Sequence, residues 1–119
     1  MKENIVVEKS YTFAIGIVNC YKFLIAEKKE LVLSKQLLRS GTSIGANVEE
    51  AVGSHSRKEF ASKLSIAYKE ARETHYWIRL LRDTGYIDAK ISESLTSDND
   101  ELLKLIGSII KTLKSNPNS

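Results

Sequence analysis

Residues 56–83 read SRKEFASKLSIAYKEARETHYWIRLLRD, and the spacing of apolar side chains in this stretch decides the fold class. Ser56 followed by Glu59 is a capping box, which opens a helix. Thr84 and Gly85 then end the helix. The side chains predicted to face the core recur every three or four residues, which is the helical period. They are Phe60, Leu64, Ala67, Ala71, Thr74, Ile78 and Leu81.

The stretches on either side, 31–52 and 88–114, have the same period and are also predicted to be helices. The core-facing residues of the first are Leu37, Gly41, Ile44, Val48 and Ala51. Those of the second are Ile91, Leu95, Leu102, Ile106, Ile109 and Leu113.

Residues 5–25 form a further predicted helix, which is apolar on nearly every side. A helix of this kind is largely covered by its neighbours. Its predicted core stripe is Val7, Tyr11, Ala14, Val18, Tyr21 and Ile25, widened by Phe13, Ile17 and Leu24.

Four amphipathic helices with short connections predict an all-α fold, an antiparallel up-down-up-down four-helix bundle. The 119 residues suffice for one domain, predicted to cover 1–114, with 115–119 as a disordered tail. The net charge is +3, and 42% hydrophobic with 28% charged residues is typical of a globular protein. The longest uncharged run, 10–21, is too short to span a bilayer, so we expect a cytoplasmic protein without membrane contact.

The sequence contains no pattern typical of a catalytic or metal site. The single Cys20 excludes an internal disulfide and is expected to be a buried structural thiol. A di-iron bundle needs Glu-x-x-His, but Val52 and Arg72 precede His55 and His75 by three positions. We therefore expect no enzyme, no cofactor, no metal and no small-molecule substrate.

Residues 40–47, SGTSIGAN, are an unusual helix interior because each glycine costs about 1 kcal/mol against alanine. One interpretation is a backbone that approaches a phosphate, although such loops usually follow a strand. The favoured interpretation is that the small residues let two helices pack closely.

Residues 56–85 carry seven cations and four carboxylates, an excess equal to that of the whole chain. One helix face collects four of the cations together with an aromatic residue, which suits a nucleic-acid backbone. Its candidate binding residues are Lys58, Lys69, Arg72, Tyr76 and Arg79. An equally weighted alternative is a solvated face, or one paired with Glu49 and Glu50.

A second face of the same helix places large apolar side chains where a lone bundle would leave them in water, which usually indicates a partner surface. The candidate oligomer interface is Ile66, Glu70, Glu73, Trp77 and Leu80. The two carboxylates are interpreted as members of ion pairs between subunits.

Two segments, QLLRSGTSIGANVEEA at 36–51 and KLSIAYKEARET at 63–74, resemble the signatures of a bacterial family. This is the four helix bundle protein family, also called the 23S rRNA intervening-sequence protein family. The resemblance, which extends to Tyr76-Trp77 and Leu80-Leu81, covers nearly the whole chain. Within it Arg39, Glu50, Glu70 and Glu73 are interpreted as structural, joining the second and third helices within or between subunits.

The resemblance implies a ring-like homopentamer, similar to the nucleic-acid-binding accessory variability protein of diversity-generating retroelements. Members can be encoded inside intervening sequences of large-subunit rRNA genes, and the family has no established catalytic residues. The first hypothesis is therefore a non-enzymatic homo-oligomer that binds RNA, DNA or a ribonucleoprotein. The alternative is a ring-shaped scaffold that contacts protein partners.

Overall fold

The computed structural model describes residues 2–116, which form a four-helix bundle measuring 50 × 21 × 20 Å. The helices are α1 (Lys2–Ala26), α2 (Leu33–Val52), α3 (Arg57–Asp83) and α4 (Ala89–Ser115). Each is roughly 30 to 40 Å long. The connections 27–32, 53–56 and 84–88 are too short to run back along a helix, so consecutive helices are antiparallel. The predicted all-α fold is confirmed.

The helices are arranged as the corners of a square. α1 packs on α2 and α4, α3 packs on the same two helices, and within residues 2–116 α1 and α3 lie diagonally opposite without a close approach of their backbones. Because of this arrangement, the outer sides of α1 and α3 point in opposite directions. Helix α4 reaches Ser115, and residues 117–119 of the predicted tail lie outside the described residues.

Capping side chains explain where α3 and α4 begin. The Ser56 hydroxyl accepts a hydrogen bond from the backbone N–H of Glu59 at 3.0 Å, as the capping box predicted. The Asp88 carboxylate likewise accepts from the N–H of Ile91 at 2.8 Å. Gly85, with φ +84°, adopts the left-handed conformation that turns the chain after α3.

Helix α2 begins with a reciprocal arrangement centred on Glu30. The Glu30 carboxylate accepts from the backbone N–H groups of Val32 at 3.2 Å and Ser34 at 2.7 Å, while the Ser34 hydroxyl donates to the Glu30 carbonyl at 2.7 Å. Partial burial acts to raise the pKa of Glu30, but the hydrogen bonds from residues 32–34 outweigh it and lower that pKa from 4.5.

The core-facing side of α1 differs from the predicted stripe. The buried residues are Val6, Ser10, Phe13, Ile17, Cys20 and Leu24. The stripe that began at Val7 lies roughly a quarter turn round the helix, and Tyr11 within it is 61% exposed. The central stripe was predicted wrongly because several stripes on this uniformly apolar helix have helical spacing. The three residues predicted to widen it, Phe13, Ile17 and Leu24, are buried as expected. Packing against α2 selects the buried side.

Two glycines of α2 bring it close to α1. A Cβ atom on Gly41 would lie 2.7 Å from Cγ1 of Ile17, and one on Gly45 would lie 3.3 Å from the Ser10 carbonyl oxygen. The Thr42 hydroxyl is bonded to the Leu38 carbonyl at 2.7 Å within the same helix. The close-packing interpretation of residues 40–47 is confirmed.

Polar groups inside the bundle connect α3 to its two neighbours. The Thr74 hydroxyl lies 2.9 Å from that of Ser40 on α2. The Asn99 amide nitrogen of α4 donates to the Ala71 carbonyl at 2.9 Å. The amide oxygen of Asn99 is buried and has no hydrogen-bond partner among residues 2–116. The contact between α3 and α4 therefore contains one unsatisfied polar atom.

Candidate nucleic-acid interface

On the flank of α3 that borders α2, the charged side chains form ion pairs with residues of α2. Arg39 of α2 pairs with Glu70, at 3.1 Å, and with Glu73. The Trp77 indole N–H also donates to the Glu73 carboxylate, at 2.9 Å. The two carboxylates predicted to pair between subunits therefore already have a cation in their own subunit.

A second ion pair on the same flank joins Lys63 to Glu50 of α2 at 2.8 Å. The hydrogen bond to Glu50 raises the pKa of Lys63. Together with the contacts of Arg39, this pair shows that the signature residues join α2 and α3 within the chain, which is one of the two arrangements predicted.

The apolar members of the predicted oligomer interface differ in exposure. Ile66 is 40% exposed, whereas Trp77 and Leu80 are half-buried and Trp77 packs against the core. A more exposed apolar surface lies on the outer side of α1, where Tyr11 is 61% and Ile15 is 49% exposed. The chain thus presents apolar side chains to solvent on both α1 and α3.

The predicted basic face forms the outer side of α3, away from the core. Lys58, Lys69, Arg72 and Arg79 are all exposed. In the described part of the chain none of these four cations forms an ion pair, and Glu50 pairs with Lys63 instead. The alternative in which these cations pair with Glu49 and Glu50 is therefore wrong, whereas the alternative of a solvated face agrees with their exposure.

Tyr76 lies among these cations near the C-terminal end of α3. Its ring is 49% exposed and meets the Trp77 ring edge-on, with centroids 5.0 Å apart and an interplanar angle of 76°. The Arg79 guanidinium carbon lies 5.9 Å from the Tyr76 centroid, within reach of a cation–π contact. These contacts hold the Tyr76 ring on the protein surface.

Helix α4 contributes two lysines that were not part of the predicted site. Lys111 and Lys114 of α4 line the same groove as Lys69 of α3. The antiparallel arrangement brings the C-terminal end of α4 beside the N-terminal half of α3. The signal available in the sequence was the three-residue spacing of the two lysines, which places them on one side of the last turns.

The groups considered for metal binding or nucleophilic chemistry are dispersed. His55 is exposed in the connection before α3, and His75 is half-buried on α3. Among residues 2–116, no three or more His, Cys, Asp or Glu side chains form a group that could hold a metal ion. Cys20 is buried as predicted, and burial raises the pKa of its thiol to about 11. No helix in the described range is both long and apolar enough to cross a membrane.

Comparison with known proteins places this fold and sequence in a family. A search of curated proteins gave no significant match. Among solved structures, the chain is similar to a protein of unknown function from the S23 ribosomal protein family of Bacteroides thetaiotaomicron. The two share 57% identity and a TM-score of 0.92, over 93% of this chain and 99% of that one. The profile of the 23S rRNA-intervening sequence proteins matches residues 2–108. The chain belongs to the 23S rRNA-intervening sequence protein family.

Proposed function

We propose that this protein is a non-enzymatic homo-oligomer that binds nucleic acid, most favourably RNA or a ribonucleoprotein, through the basic face of α3. The observation that carries the proposal is the difference between the two charged sides of α3. Cations on the flank beside α2 are paired with carboxylates, whereas the outer cations such as Lys58 and Arg79 have no such partner in the described chain. Exposed, unpaired cations remain available to phosphates.

The outer face has a length suited to such a ligand. Lys58 and Arg79 lie roughly 30 Å apart along the helix, close to the length of one duplex turn. Phosphate contacts of this kind do not read sequence, so we expect largely sequence-independent binding. The names of the family and of the Bacteroides protein refer to ribosomal RNA and to a ribosomal protein, and they favour RNA over DNA.

Oligomerisation would supply the affinity that one subunit of net charge +3 lacks. Repeating a weakly basic face brings several sites to one ligand, which raises the overall affinity without new contacts. The homopentamer implied by the family resemblance would repeat the face five times.

We place the contact between copies on two exposed apolar surfaces, one around Ile66 on α3, beside the basic face, and one around Tyr11 and Ile15 on α1. Because α1 and α3 are diagonally opposite, the α1 surface of one copy can cover the α3 surface of the next. A head-to-tail contact of this type closes into a ring when the rotation between copies permits.

The binding test is fluorescence anisotropy with labelled single-stranded and duplex RNA and DNA at low and high salt. We expect binding that weakens steeply with salt, and a loss of affinity with a flatter salt dependence for Lys58→Glu combined with Arg79→Glu. The matched control is Lys22→Glu with Lys35→Glu, which changes the net charge equally on exposed positions of α1 and α2. Absence of binding at low salt would favour the protein-contacting scaffold instead.

The oligomer test is light scattering of the parent and of Ile66→Lys and Tyr11→Lys. We expect the parent to have a mass several times the 13.4 kDa of one chain, and both variants to form smaller particles. Both positions are exposed in the single chain, so the variants should remain folded. A parent that runs as a stable monomer contradicts the oligomer.

A further inference from the structure

An open groove runs between the N-terminal half of α3 and the C-terminal half of α4. It consists of two adjoining hollows, of about 580 and 420 Å³, which share Ser65, Ile110 and Lys114 in their walls. The groove is thus a continuous trough along the seam of the two helices. It borders the basic face of α3 without including Tyr76 or Arg79.

Both walls of this groove are basic. Lys58 and Lys69 project from α3, and Lys111 and Lys114 project from α4. None of the four forms an ion pair within the described residues, and the described groove walls contain no carboxylate. Arg57 adds a fifth cation at the end of the groove, where its guanidinium bonds to the Leu113 and Asn116 carbonyls. Cations on two facing helices can neutralise phosphates from both sides.

The floor of the groove is apolar and contains an aromatic ring. The ring of Tyr68 lies across the seam, with its Cε2 3.4 Å from the position that a Cβ of residue 107 would take. Glycine at position 107 leaves room for the ring to lie close to α4. Ile110 continues the apolar surface. Such a surface can receive the face of a nucleic-acid base.

The other half of the α3–α4 seam is different in charge. Its hollow is lined by Arg82 and Lys104 together with the carboxylates Glu93, Asp100 and Glu101. This mixture does not favour a polyanion. The charge pattern therefore restricts a phosphate-bearing ligand to the half that contains Tyr68.

We propose that this groove holds an unpaired segment of nucleic acid, with its phosphates between the lysines of α3 and α4 and one base against Tyr68. The inference rests on the proposed function and moves its site from the outer face of α3 into the groove, which shares Lys58 and Lys69 with that face. A base inside a duplex is stacked and paired, so a base can reach the floor of a groove only from a single strand, a loop or an end. RNA and DNA share this chemistry, and the measurement below separates them.

The test compares the groove with the outer face of α3. Lys111→Glu combined with Lys114→Glu removes the α4 wall, and Lys22→Glu with Lys35→Glu is the charge-matched control. Tyr68→Leu removes the groove ring, and Tyr76→Leu removes the ring on the outer face. Each variant is titrated by anisotropy against labelled oligouridylate, oligothymidylate and a short duplex, after thermal melting has shown that it is folded.

The groove predicts a specific pattern of losses. The Lys111/Lys114 reversal should weaken single-strand binding well beyond the control and reduce the salt slope by about 1.4, because each lost phosphate contact contributes about 0.7. Tyr68→Leu should weaken single-strand binding about tenfold, the typical effect of one lost stacking contact, and leave duplex binding unchanged. Tyr76→Leu should bind like the parent. Tighter binding of oligouridylate than of oligothymidylate would identify RNA as the ligand.

Two results overturn the groove while the proposed function stands. One is a Lys111/Lys114 variant that binds as well as its control, and the other is a larger loss for Tyr76→Leu than for Tyr68→Leu. Either would place the ligand on the outer face of α3. A parent that binds none of the probes at low salt contradicts both proposals. If Tyr68→Leu fails to fold, the lysine variant still decides, because both lysines are exposed.

Discussion

The seam between α1 and α2 and the seam between α3 and α4 both contain glycine, but they use it in opposite ways. Gly41 closes the first seam, because a methyl group there would lie 2.7 Å from Ile17, and a methyl group on Gly45 would be tight against Ser10 at 3.3 Å. Gly107 on the second seam leaves space for an aromatic ring beside an open basic groove. Close packing thus serves stability on one side of the bundle, while the opposite side retains a surface that a ligand can enter.

The largest expected effect comes from filling the closed seam. Gly41→Leu should lower the free energy of unfolding by about 3 kcal/mol, the upper range for an overpacked core, because Ile17 is β-branched and fully buried and cannot move aside. Urea unfolding measures the loss. Gly16→Ala is the control, since its Cβ would lie 3.9 Å from Leu95 and should stabilise α1 through helix propensity. Equal stability of Gly41→Leu and the parent would show that the seam is not closed.

The next effect tests whether a buried polar atom between α3 and α4 lowers the stability of the fold. Asn99→Leu should raise the free energy of unfolding by about 1 kcal/mol, because it removes a buried amide oxygen that has no partner in the described chain. The Ala71 carbonyl loses the Asn99 contact but keeps its bond within the helix. Thermal melting measures the change. A variant less stable than the parent would mean that a water satisfies the oxygen and that the amide holds α4 in register.

A smaller effect concerns the turn at the end of the closed seam. The folded pKa of Glu30 is lowered, so its carboxylate stabilises the fold above the ordinary value of 4.5 and this contribution disappears as the pH falls through the folded pKa. Glu30→Gln should therefore cost about 0.5 kcal/mol at pH 7 and nothing at strongly acid pH. Urea unfolding at both pH values measures this difference. Glu27→Gln, an exposed change in the same turn, should match the parent throughout.

The last effect, similar in size to that of Glu30→Gln, comes from adding a methyl group to the glycine of the open seam. Gly107→Ala should raise the free energy of unfolding by about 0.5 kcal/mol, since alanine gains helix propensity and the new methyl group only touches Tyr68 at 3.4 Å. Gly41→Ala should instead lose stability. The two alanine variants, melted side by side, compare the seams directly. Losses of similar size at both positions would contradict the distinction between them.

The helices could be predicted from the sequence because apolar side chains recur at the helical spacing between polar ones on α2, α3 and α4. The orientation of α1 could not, because apolar residues surround it and its spacing alone does not distinguish Tyr11 from Phe13 as the buried residue. Burial on α1 depends on where Gly41 and Gly45 allow α2 to approach. The buried side of α1 is therefore set by its contact with α2, and the spacing of residues along α1 does not reveal it.

Part of the candidate site could likewise be predicted from the sequence, and part could not. The basic face of α3 could be predicted because Lys58, Lys69 and Arg79 share one helix. The groove could not, because Lys111 comes from a helix distant in sequence and meets Lys69 only through antiparallel packing. The choice between Tyr76 and Tyr68 as the stacking residue likewise depends on which ring lies beside α4.

The single thiol of the chain can be used to measure how α1 separates from the other helices. Cys20 lies on the buried side of this helix with a pKa raised to about 11, so on the order of one thiol in a thousand is ionised at pH 8. An alkylating reagent added under native conditions should therefore react slowly until α1 moves away from its neighbours. The rate of iodoacetamide labelling then measures how often this helix opens, without a probe having to be introduced.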